Sequence, residues 1–302
     1  MDRFDTLLAF VRVVEAGSFT KAAQTLHMSK TTVSQLVQQL EARLQVKLLN
    51  RTTRQVKVTP EGAAYYDRVV RVLGDLEDAD DVLAGEQAIP RGRLRIDVPS
   101  PFARLLLMPA LPDFHRRYPE IQVIMGVSDR TVDVIGDNVD CVLRGGEITE
   151  PSLVARRIVD LRLGAYASPG YLQAAGTPAH PQDLEQAPHH MVGFLRSSSG
   201  TVAPVPLRRG EESFELKGRY VVAADDGNAY LAAGLAGMGV LWMPRYMAEA
   251  HLAQGELVPL FEDWQLPPMP MYLAYPQNRH LSSRLRVFIA WIDELIKATQ
   301  SL

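Results

Sequence analysis

Cysteine is almost absent from the sequence, and long apolar runs are missing. The single cysteine, Cys141, excludes an intramolecular disulfide and any cysteine-rich zinc site. No uninterrupted apolar stretch reaches the length that is needed to span a membrane. The N-terminus carries acids at Asp2 and Asp5 and lacks a cleavage-type tail, so we expect no signal peptide. These absences predict a cytoplasmic protein with no membrane partner.

Acidic residues are scarce in the first 59 positions, where nine lysines and arginines against four acids give a net charge of +5. The whole chain of 302 residues has a net charge of −3, so residues 60–302 carry −8. A basic N-terminal segment on an acidic body indicates a polyanionic partner for that segment alone. The length itself suggests two or three domains.

Two short helices joined by a tight turn are predicted between residues 18 and 44. Gly17 suits the end of a preceding helix, and Ser18 suits the start of the next, which runs from about Phe19 to Leu26. Ser29 is the N-cap candidate for the following helix. The apolar residues of that helix recur at steps of three and four: Val33, Val37, Leu40 and Leu44.

The opposite face of this second helix carries hydroxyl, amide and ammonium groups with almost no carboxylate. Such groups donate and accept at base edges, which is how a helix reads the major groove of DNA. We therefore expect these residues to contact DNA: Ser29, Lys30, Thr31, Thr32, Ser34, Gln35 and Gln38. An ordinary polar helix in a small helical domain is the alternative, because short helix-turn-helix patterns recur by chance.

A short two-stranded wing is predicted after this helix. Val56, Lys57 and Val58 alternate as in a strand, and a basic polar tip precedes them. Arginines at such a tip suit the phosphate backbone or the minor groove. We expect DNA contacts from three tip residues: Arg51, Thr52 and Arg54. The alternative is a solvated hairpin, which would account for one arginine at the tip. It accounts less well for two arginines beside a helix that is predicted to read DNA.

A long helix is predicted from Thr59 to about Gln87, with Pro60 tolerated in its first turn. Its apolar positions form a heptad seam in which Asp80 occupies one skipped position: Tyr66, Val69, Leu73, Leu76 and Leu83. The seam predicts a partner helix and hence a homodimer, which lets one protein read both halves of a palindrome. The alternative is a lone helix that packs on its own domain.

These segments resemble the LysR-type transcriptional regulators, and the resemblance covers the whole chain. It rests on the following residues: Ala22, Ala23, Leu26, Ser29, Val33, Ser34, Val37, Leu40, Glu41, Leu48, Arg51, Thr52, Arg54, Thr59, Pro60, Glu61 and Gly62. The stretch LLNRTTR is similar to the subgroup with an arginine-threonine wing. Many members have Gln-Pro where this chain has Lys30-Thr31, so the family implies little about base contacts there.

The resemblance implies an all-α winged helix-turn-helix domain and a linker helix, followed by an α/β domain like the periplasmic binding proteins. The expected domains are 1–59 for DNA binding, 60–88 for dimerisation and 89–302 for effector binding. The last has two lobes, about 92–165 with 268–302 and 166–267, with crossings near 163–168 and 264–271. The implied partners are promoter DNA, a small-molecule effector, further copies of the chain as a dimer of dimers, and RNA polymerase.

The pattern after residue 92 alternates strands with helices, which by itself indicates an α/β domain. Ligands of open α/β sheets bind beyond the carboxyl ends of the strands. We expect effector contacts from residues at such ends: Ser100, Pro101, Phe102, Ser128, Arg144, Phe194 and Asn228. Ser100 also begins a helix, whose free N–H groups favour an anionic effector. The alternatives are a simple helix cap for each serine and a surface ion pair for Arg144.

Candidate catalytic groups do not combine into a known arrangement. His189 and His190 lie in a polar loop, where solvated histidines are expected, without a carboxylate or cysteine at metal spacing. The stretch at 197–200 lacks the pattern of a nucleophile elbow, and Cys141 lies in an apolar strand that should bury it. Asp226 is placed to cap a helix. We expect neither catalysis nor a cofactor; the alternative is a solute-binding or enzymatic α/β protein with a helical appendage.

Overall fold

The computed structural model of the chain describes residues 2–51, 56–84, 89–130, 134, 139–196, 199–277 and 281–299. For residues 51, 71, 75 and 77–84 it describes the backbone alone. The predicted wing-tip contacts Thr52 and Arg54 lie outside the described residues, as does most of a short helix that the sequence suggests at 131–135. The chain divides into two compact units, Met1–Ala88 and Ile89–Leu302.

The first unit contains three short helices, a two-stranded antiparallel wing and a long helix. Its elements are α1 Arg3–Ala16, α2 Phe19–Thr25, α3 Lys30–Leu44, β1 Leu49–Arg51, β2 Val56–Val58 and α4 Pro60–Ala84. Local caps set their limits, because the Ser18 hydroxyl accepts from the N–H of Lys21 at 3.5 Å and the Ser29 hydroxyl from that of Thr32 at 3.0 Å. Gly17 ends α1 with φ +60°. The predicted winged helix-turn-helix is confirmed.

The predicted heptad seam of α4 is divided between two environments. Val69 is 3% exposed, and Tyr66 and Leu73 pack with it against the core of their own unit. The seam prediction is therefore wrong for these three residues, which follow the alternative of a helix packed on its own domain. Among the α4 side chains that the structure describes, the large apolar ones that are exposed are Val72 (50%) and Leu76 (44%), one helical turn apart. The side chain of the last predicted seam residue, at position 83, is not described.

The first lobe of the second unit contains a five-stranded sheet of order β4-β3-β5-β14-β6. Its strands are β3 Gly92–Val98, β4 Ile121–Val127, β5 Cys141–Gly145, β6 Leu153–Leu161 and β14 Met269–Pro276. Strands β4 and β5 flank β3 in parallel, and β14 pairs antiparallel with both β5 and β6. The carboxyl ends of the three parallel strands therefore meet at one edge of the sheet, as the sequence pattern predicted.

A continuous helical segment follows β3 at this edge. It consists of α5 Ser100–Phe102, a π-helical turn at Ala103–Leu107 and α6 Met108–Arg117. The N–H of Met108 bonds the carbonyl of Ala103, a step of five residues. The segment begins at Ser100, as predicted, and ends before Pro119.

The second lobe is a smaller α/β layer. Its strands are β7 Leu163–Ala167, β8 Met191–Phe194, β9 Val205–Arg209, β10 Glu212–Leu216, β11 Tyr220–Ala224, β12 Leu241–Pro244 and β13 Val258–Leu260. Its helices are α7 Pro169–Ala175, α8 Gly227–Leu235 and α9 Arg245–Ala253. Strand β7 lies between β12 and β13, β11 pairs in parallel with β8, and β9 and β10 form a hairpin. A parallel bridge from Met191 to Val240 connects β8 to the segment before β12.

The two lobe crossings lie close to the predicted positions. Strand β6 ends at Leu161 and β7 begins at Leu163, so the first crossing is at Arg162, next to the predicted 163–168. The second follows Gln265, which still pairs with Arg208 of the second lobe, and it precedes Met269, the first residue of β14, so it falls within the predicted 264–271.

One hydrophobic core joins the two lobes. It extends from β3, where Leu94 is fully buried, to β12, where Leu241 is fully buried as well. The final helix, α10 Ser283–Ala298, returns to the first lobe, where Phe288 packs edge-on against Phe114 with the ring centroids 5.7 Å apart. Within the described residues, no helix is both long enough and apolar enough to cross a membrane.

Candidate DNA-binding surface and effector cleft

Helix α3 buries one side and exposes the side that the sequence predicts to contact DNA. Val33, Leu36 and Val37 are at most 1% exposed. The predicted contacts that are exposed are Ser29, Lys30, Thr31, Gln35 and Gln38, while Thr32 and Ser34 are half-buried. The structure thus brings the hydroxyl, amide and ammonium groups onto one polar face at the N-terminal half of the helix.

The first turn of α3 is held by two of these predicted contacts. The hydroxyl oxygens of Ser29 and Thr32 lie 2.8 Å apart, and the Ser29 hydroxyl also accepts from the N–H of Thr32. Both hydroxyls therefore fix the start of the helix. The side chains that extend from it without this local role include Gln35 and Gln38, whose amides can both donate and accept at a base edge.

A buried carboxylate lies behind this face. Glu41 is 4% exposed, and its Oε1 accepts from the backbone N–H groups of Leu48 (3.0 Å) and Leu49 (3.1 Å). Its Oε2 accepts from Nζ of Lys47 at 2.8 Å. Burial acts to raise the pKa of Glu41, but the hydrogen bonds from Lys47, Leu49 and Leu48 outweigh it and leave the pKa below its usual range. The sequence pattern showed Glu41 only as a family residue, and no local signal indicated this role.

Thr59 holds the other side of the same backbone. Its hydroxyl lies 2.8 Å from the carbonyl oxygen of Lys47 and 3.1 Å from that of Leu48, and it accepts from the N–H of Gly62 at 2.9 Å. A Cβ on Gly62 would lie 2.1 Å from the carbonyl oxygen of Leu48, so only glycine allows this approach. We name the cluster of Glu41, Leu48, Leu49, Thr59 and Gly62 the wing root.

In the second unit, Ser100 lies between two carboxylates. Its N–H donates to Oδ1 of Asp129 (3.1 Å), and its hydroxyl lies 2.8 Å from Oδ2 of Asp129 and 2.5 Å from Oδ2 of Asp226. Asp129 also accepts from the N–H of Gly227 at 2.6 Å. The expectation of a free N–H at Ser100 for an anion is therefore wrong, because protein carboxylates already occupy that position.

Further polar contacts join the lobes beside Ser100. Arg104 donates through Nε to the side-chain oxygen of Asn228 at 2.7 Å, and Arg130 pairs with Asp225 at 2.7 Å. All the second-lobe partners come from one short segment, residues 225–228, at the start of α8. We name these contacts, together with those of Ser100, the interlobe clasp.

Four other predicted effector contacts have structural partners. Arg144 forms an ion pair with Asp97 and donates to the carbonyl of Leu143 at 2.8 Å, so it follows the ion-pair alternative, although the pair is largely buried and not at the surface. Phe102 is fully buried in the core, which corrects its assignment as a ligand contact. Pro101 packs across the lobes, since a Cβ on Gly227 would lie 2.4 Å from its Cγ. The Ser128 hydroxyl accepts from the N–H of Arg130 at 3.0 Å.

Phe194 lines a cavity of about 210 Å³ beside the lobe crossings. The ring of Phe194, which is 38% exposed, meets Tyr230 edge-on with the centroids 5.4 Å apart. Most of the lining is apolar, including Met191, Val192, Val202, Trp242 and Leu266, and among the described residues of the lining the charged one is Arg196. Arg196 was not among the predicted contacts, because nothing in the loop sequence distinguishes it from other surface arginines.

The side chains that we considered and rejected as catalytic groups are buried, partly buried or engaged in capping a helix. Cys141 is fully buried, and burial raises the pKa of its thiol well above the usual value, with Asp140 adding to the effect. Asp226 caps α8 by accepting from the N–H of Ala229 at 2.8 Å, as predicted. His189 and His190 are half-buried, so they are less exposed than we expected for a solvated loop. Among the described residues, no three His, Cys, Asp or Glu side chains are grouped to hold a metal ion.

Comparison with known families covers both units. Residues 4–63 match the bacterial regulatory helix-turn-helix protein, lysR family, and residues 87–297 match the LysR substrate binding domain. The chain belongs to the LysR family of transcriptional regulators. Its function is therefore that of a DNA-binding regulator with an effector-binding domain, and the alternative of a solute-binding protein or enzyme is set aside.

Similar proteins agree with this assignment over nearly the whole chain. An HTH-type transcriptional repressor of Pseudomonas aeruginosa (strain UCBPP-PA14) is 37% identical over 295 residues, which are 98% of this chain and 92% of that one. The solved structure of CrgA, a LysR-type regulator from Neisseria meningitidis, is 33% identical and has a TM-score of 0.61 over 96% of this chain and 97% of that one. Full-length AphB of Vibrio cholerae is 27% identical, with a TM-score of 0.59 over 100% of both chains.

Membership of the LysR family accounts for both candidate surfaces. LysR-type regulators bind DNA and small-molecule effectors, and they form oligomers. The polar face of α3 belongs to the DNA-binding unit, and the interlobe clasp and the cavity belong to the effector-binding unit. Which residues contact DNA or effector in this LysR-type protein stays a prediction.

We expect Gln35→Ala to relax sequence preference more than it weakens non-specific DNA binding. Gln35 is exposed on the polar face of α3, and a lost amide contact to a base edge costs about 1–3 kcal/mol of discrimination. Ser34→Ala should act in the same direction but less strongly, because Ser34 is half-buried. Gel shifts with the operator and with a scrambled duplex give the ratio to compare. Full operator preference in the Gln35 variant would show that this face does not read bases.

Proposed function

We propose that this LysR-type regulator binds its promoter as a dimer, or as a dimer of dimers, and that a small apolar anion in the second-lobe cavity changes this binding. The protein acts in the cytoplasm, where it reaches the chromosome and RNA polymerase. The cavity beside Phe194 and Arg196 is the observation that carries the proposal. Ligand sites are concave and mostly apolar, with a few polar groups that fix orientation.

The size and lining of the cavity define the effector class. Its volume of about 210 Å³ is below the roughly 300–1,000 Å³ of sites for drug-sized ligands, so the effector is small. Apolar side chains surround the body of such a molecule, and the aromatic rings of Phe194 and Tyr230 are among them. The guanidinium of Arg196 suits a carboxylate, because it can donate two parallel hydrogen bonds to one. A small monocarboxylate with an apolar body is the class that fits.

In this proposal, effector binding changes the contacts of the interlobe clasp. The first-lobe groups Ser100, Arg104, Asp129 and Arg130 contact residues 225–228 at the start of α8. The same helix carries Tyr230, which lines the cavity. A ligand that shifts α8 therefore acts on the clasp directly. A coupling of this kind typically changes affinity by about 1–3 kcal/mol.

The partners of Ser100 support a role in lobe contact, and neither Ser100 nor Arg144 is placed to hold an anion. Asp97 neutralises Arg144, and Asp129 and Asp226 converge on Ser100. An anion placed there would lie beside carboxylates at a distance at which like charges repel. Ser100→Ala should therefore alter the response to effector without removing effector binding.

Matched ligand pairs test the cavity in the intact protein. We expect hexanoate or benzoate to bind more tightly than the uncharged hexanamide or benzamide in calorimetry, because only the carboxylates pair with Arg196. Arg196→Ala should weaken carboxylate binding about 10- to 100-fold, since hydrogen bonds to charged groups contribute roughly 1.5–3 kcal/mol. Phe194→Ala should weaken both members of a pair, because it removes apolar contact from the body of the ligand.

Arg219→Ala is the matched control, because Arg219 is exposed in the same lobe and does not line the cavity. It removes the same charge and should leave both ligands unaffected. If Arg219→Ala and Arg196→Ala weakened carboxylate binding equally, general electrostatics would explain the effect. If Ser100→Ala abolished binding and Arg196→Ala did not, the effector would lie between the lobes at Ser100.

A further inference from the structure

We propose that Glu41 positions the wing on DNA by fixing the backbone of the wing root, without contacting DNA itself. Residues 1–59 are basic, and a carboxylate on helix α3 works against phosphate binding. Glu41 is nevertheless the only acid between residues 16 and 60. It is 4% exposed, so it acts on the protein and not on the ligand.

The hydrogen bonds of Glu41 are directed at the start of the wing. Oε1 accepts from the N–H groups of Leu48 and Leu49, whose residues are 1% and 3% exposed. Leu49 is the first residue of β1 and pairs with Val58 of β2. Any shift of the backbone at 48–49 is passed to the whole hairpin, because the pairs after it keep the same register. The carboxylate therefore sets where the wing lies relative to α3.

The contacts of Thr59 and Gly62 connect the wing root to α4 on the opposite side. They fix the hairpin to the first turn of the linker helix, and none of these hydrogen bonds reaches α3. Glu41 is the polar link from α3 to the backbone of β1 among the described residues. Lys47 adds less, because its ammonium is exposed on a side chain with 73% of its surface accessible.

Two substitutions of Glu41 separate the effect of side-chain length from the effect of charge. Glu41→Gln keeps the side-chain length and an oxygen that accepts from both N–H groups, but it loses the charge. Glu41→Asp keeps the charge but is one methylene shorter, so it withdraws the oxygen from the wing root. The proposal requires the glutamine variant to bind DNA like the natural protein and the aspartate variant to bind weakly.

The salt dependence of operator binding distinguishes positioning from general stability. The slope of log affinity against log salt reports the number of phosphates contacted, at about 0.9 per contact. A displaced wing loses contacts, so we expect Glu41→Asp to reduce the slope by about 1–2 and to weaken binding roughly 10-fold or more at low salt. A variant that is merely less folded has fewer active molecules but the same slope. Circular dichroism measures the folded fraction in each case.

Glu61→Gln supplies the matched control in the full-length protein. Glu61 is an exposed acid in the first turn of α4, so the change removes the same charge outside the wing root. It should leave the slope unchanged and binding equal or slightly tighter. An unchanged slope in Glu41→Asp, whether or not affinity falls, would overturn the proposal. A reduced slope in Glu41→Gln as large as that in Glu41→Asp would overturn it as well, because charge and not reach would then be decisive.

Discussion

Replacing Val72 and Leu76 together by aspartate should separate the oligomer into protomers and weaken operator binding at least about 100-fold. The two side chains are 50% and 44% exposed and lie one turn apart on α4, so they form an apolar stripe that the first unit itself leaves uncovered. A partner helix that covers this stripe would have to bury two carboxylates, which is costly without a compensating partner. The loss in affinity follows because joining two binding modules raises avidity by roughly 10²–10⁴.

Sedimentation velocity and gel shifts on the same preparations measure both effects. Val72→Thr with Leu76→Met is the matched control, since it keeps side chains of similar size, and it should remain oligomeric. Leu73→Asp should behave differently from the double variant, because Leu73 packs against the core of its own unit and its replacement destabilises that unit. An intact oligomer in the double aspartate variant would locate the main contact between copies in the effector-binding unit.

The helix-turn-helix was predictable because its signals are local. Ser18, Ser29 and Gly17 mark helix ends through contacts within three or four residues, and the structure places α2 and α3 within one residue of the predicted starts. Spacing alone did not show which partner covers an apolar stripe. Tyr66 and Val69 satisfy a heptad equally well whether a second copy or their own core covers them, and in the structure Phe10 meets Tyr66.

In the cleft, the positions of the segments were predictable, but the partners of their side chains were not. Parallel strands predicted that the segments at Ser100, Ser128 and Arg144 meet, and the structure brings them to one edge. Their charge partners were not predictable, because the contact of Ser100 with Asp226 spans 126 positions and that of Arg144 with Asp97 spans 47. The helix dipole alone favours an anion at Ser100, but carboxylates from distant parts of the chain already bond that residue.

Strand β6 was missed for a related reason. It lies at the edge of the first sheet, and Arg156 and Arg157 interrupt the alternation that marks a half-buried strand. Arg156 pairs with Asp293 of α10, and Arg157 pairs with Asp160 three residues later in the same strand. Charged residues on an edge strand prevent it from pairing with other chains. The arginines that made β6 difficult to predict therefore have a role in the fold.

Raising the salt concentration from 50 to 200 mM should weaken operator binding about 250- to 1,000-fold. The first 59 residues have a net charge of +5, and the rest of the chain carries −8, so attraction to DNA comes from the helix-turn-helix and the wing. With about four to six phosphate contacts per dimer, the slope of log affinity against log salt is roughly −4 to −5. Titrations by fluorescence anisotropy over this range give the slope directly.

A scrambled duplex of equal length distinguishes the contribution of phosphate contacts from that of base contacts. Phosphate contacts do not depend on sequence, so its slope should be close to that of the operator while its affinity is lower throughout. Gln35→Ala should bring the two affinities together at every salt concentration and leave both slopes unchanged, because an amide at a base edge releases no counterions. A slope near zero for the operator would mean that phosphate contacts contribute little, and the basic charge of residues 1–59 would then need another explanation.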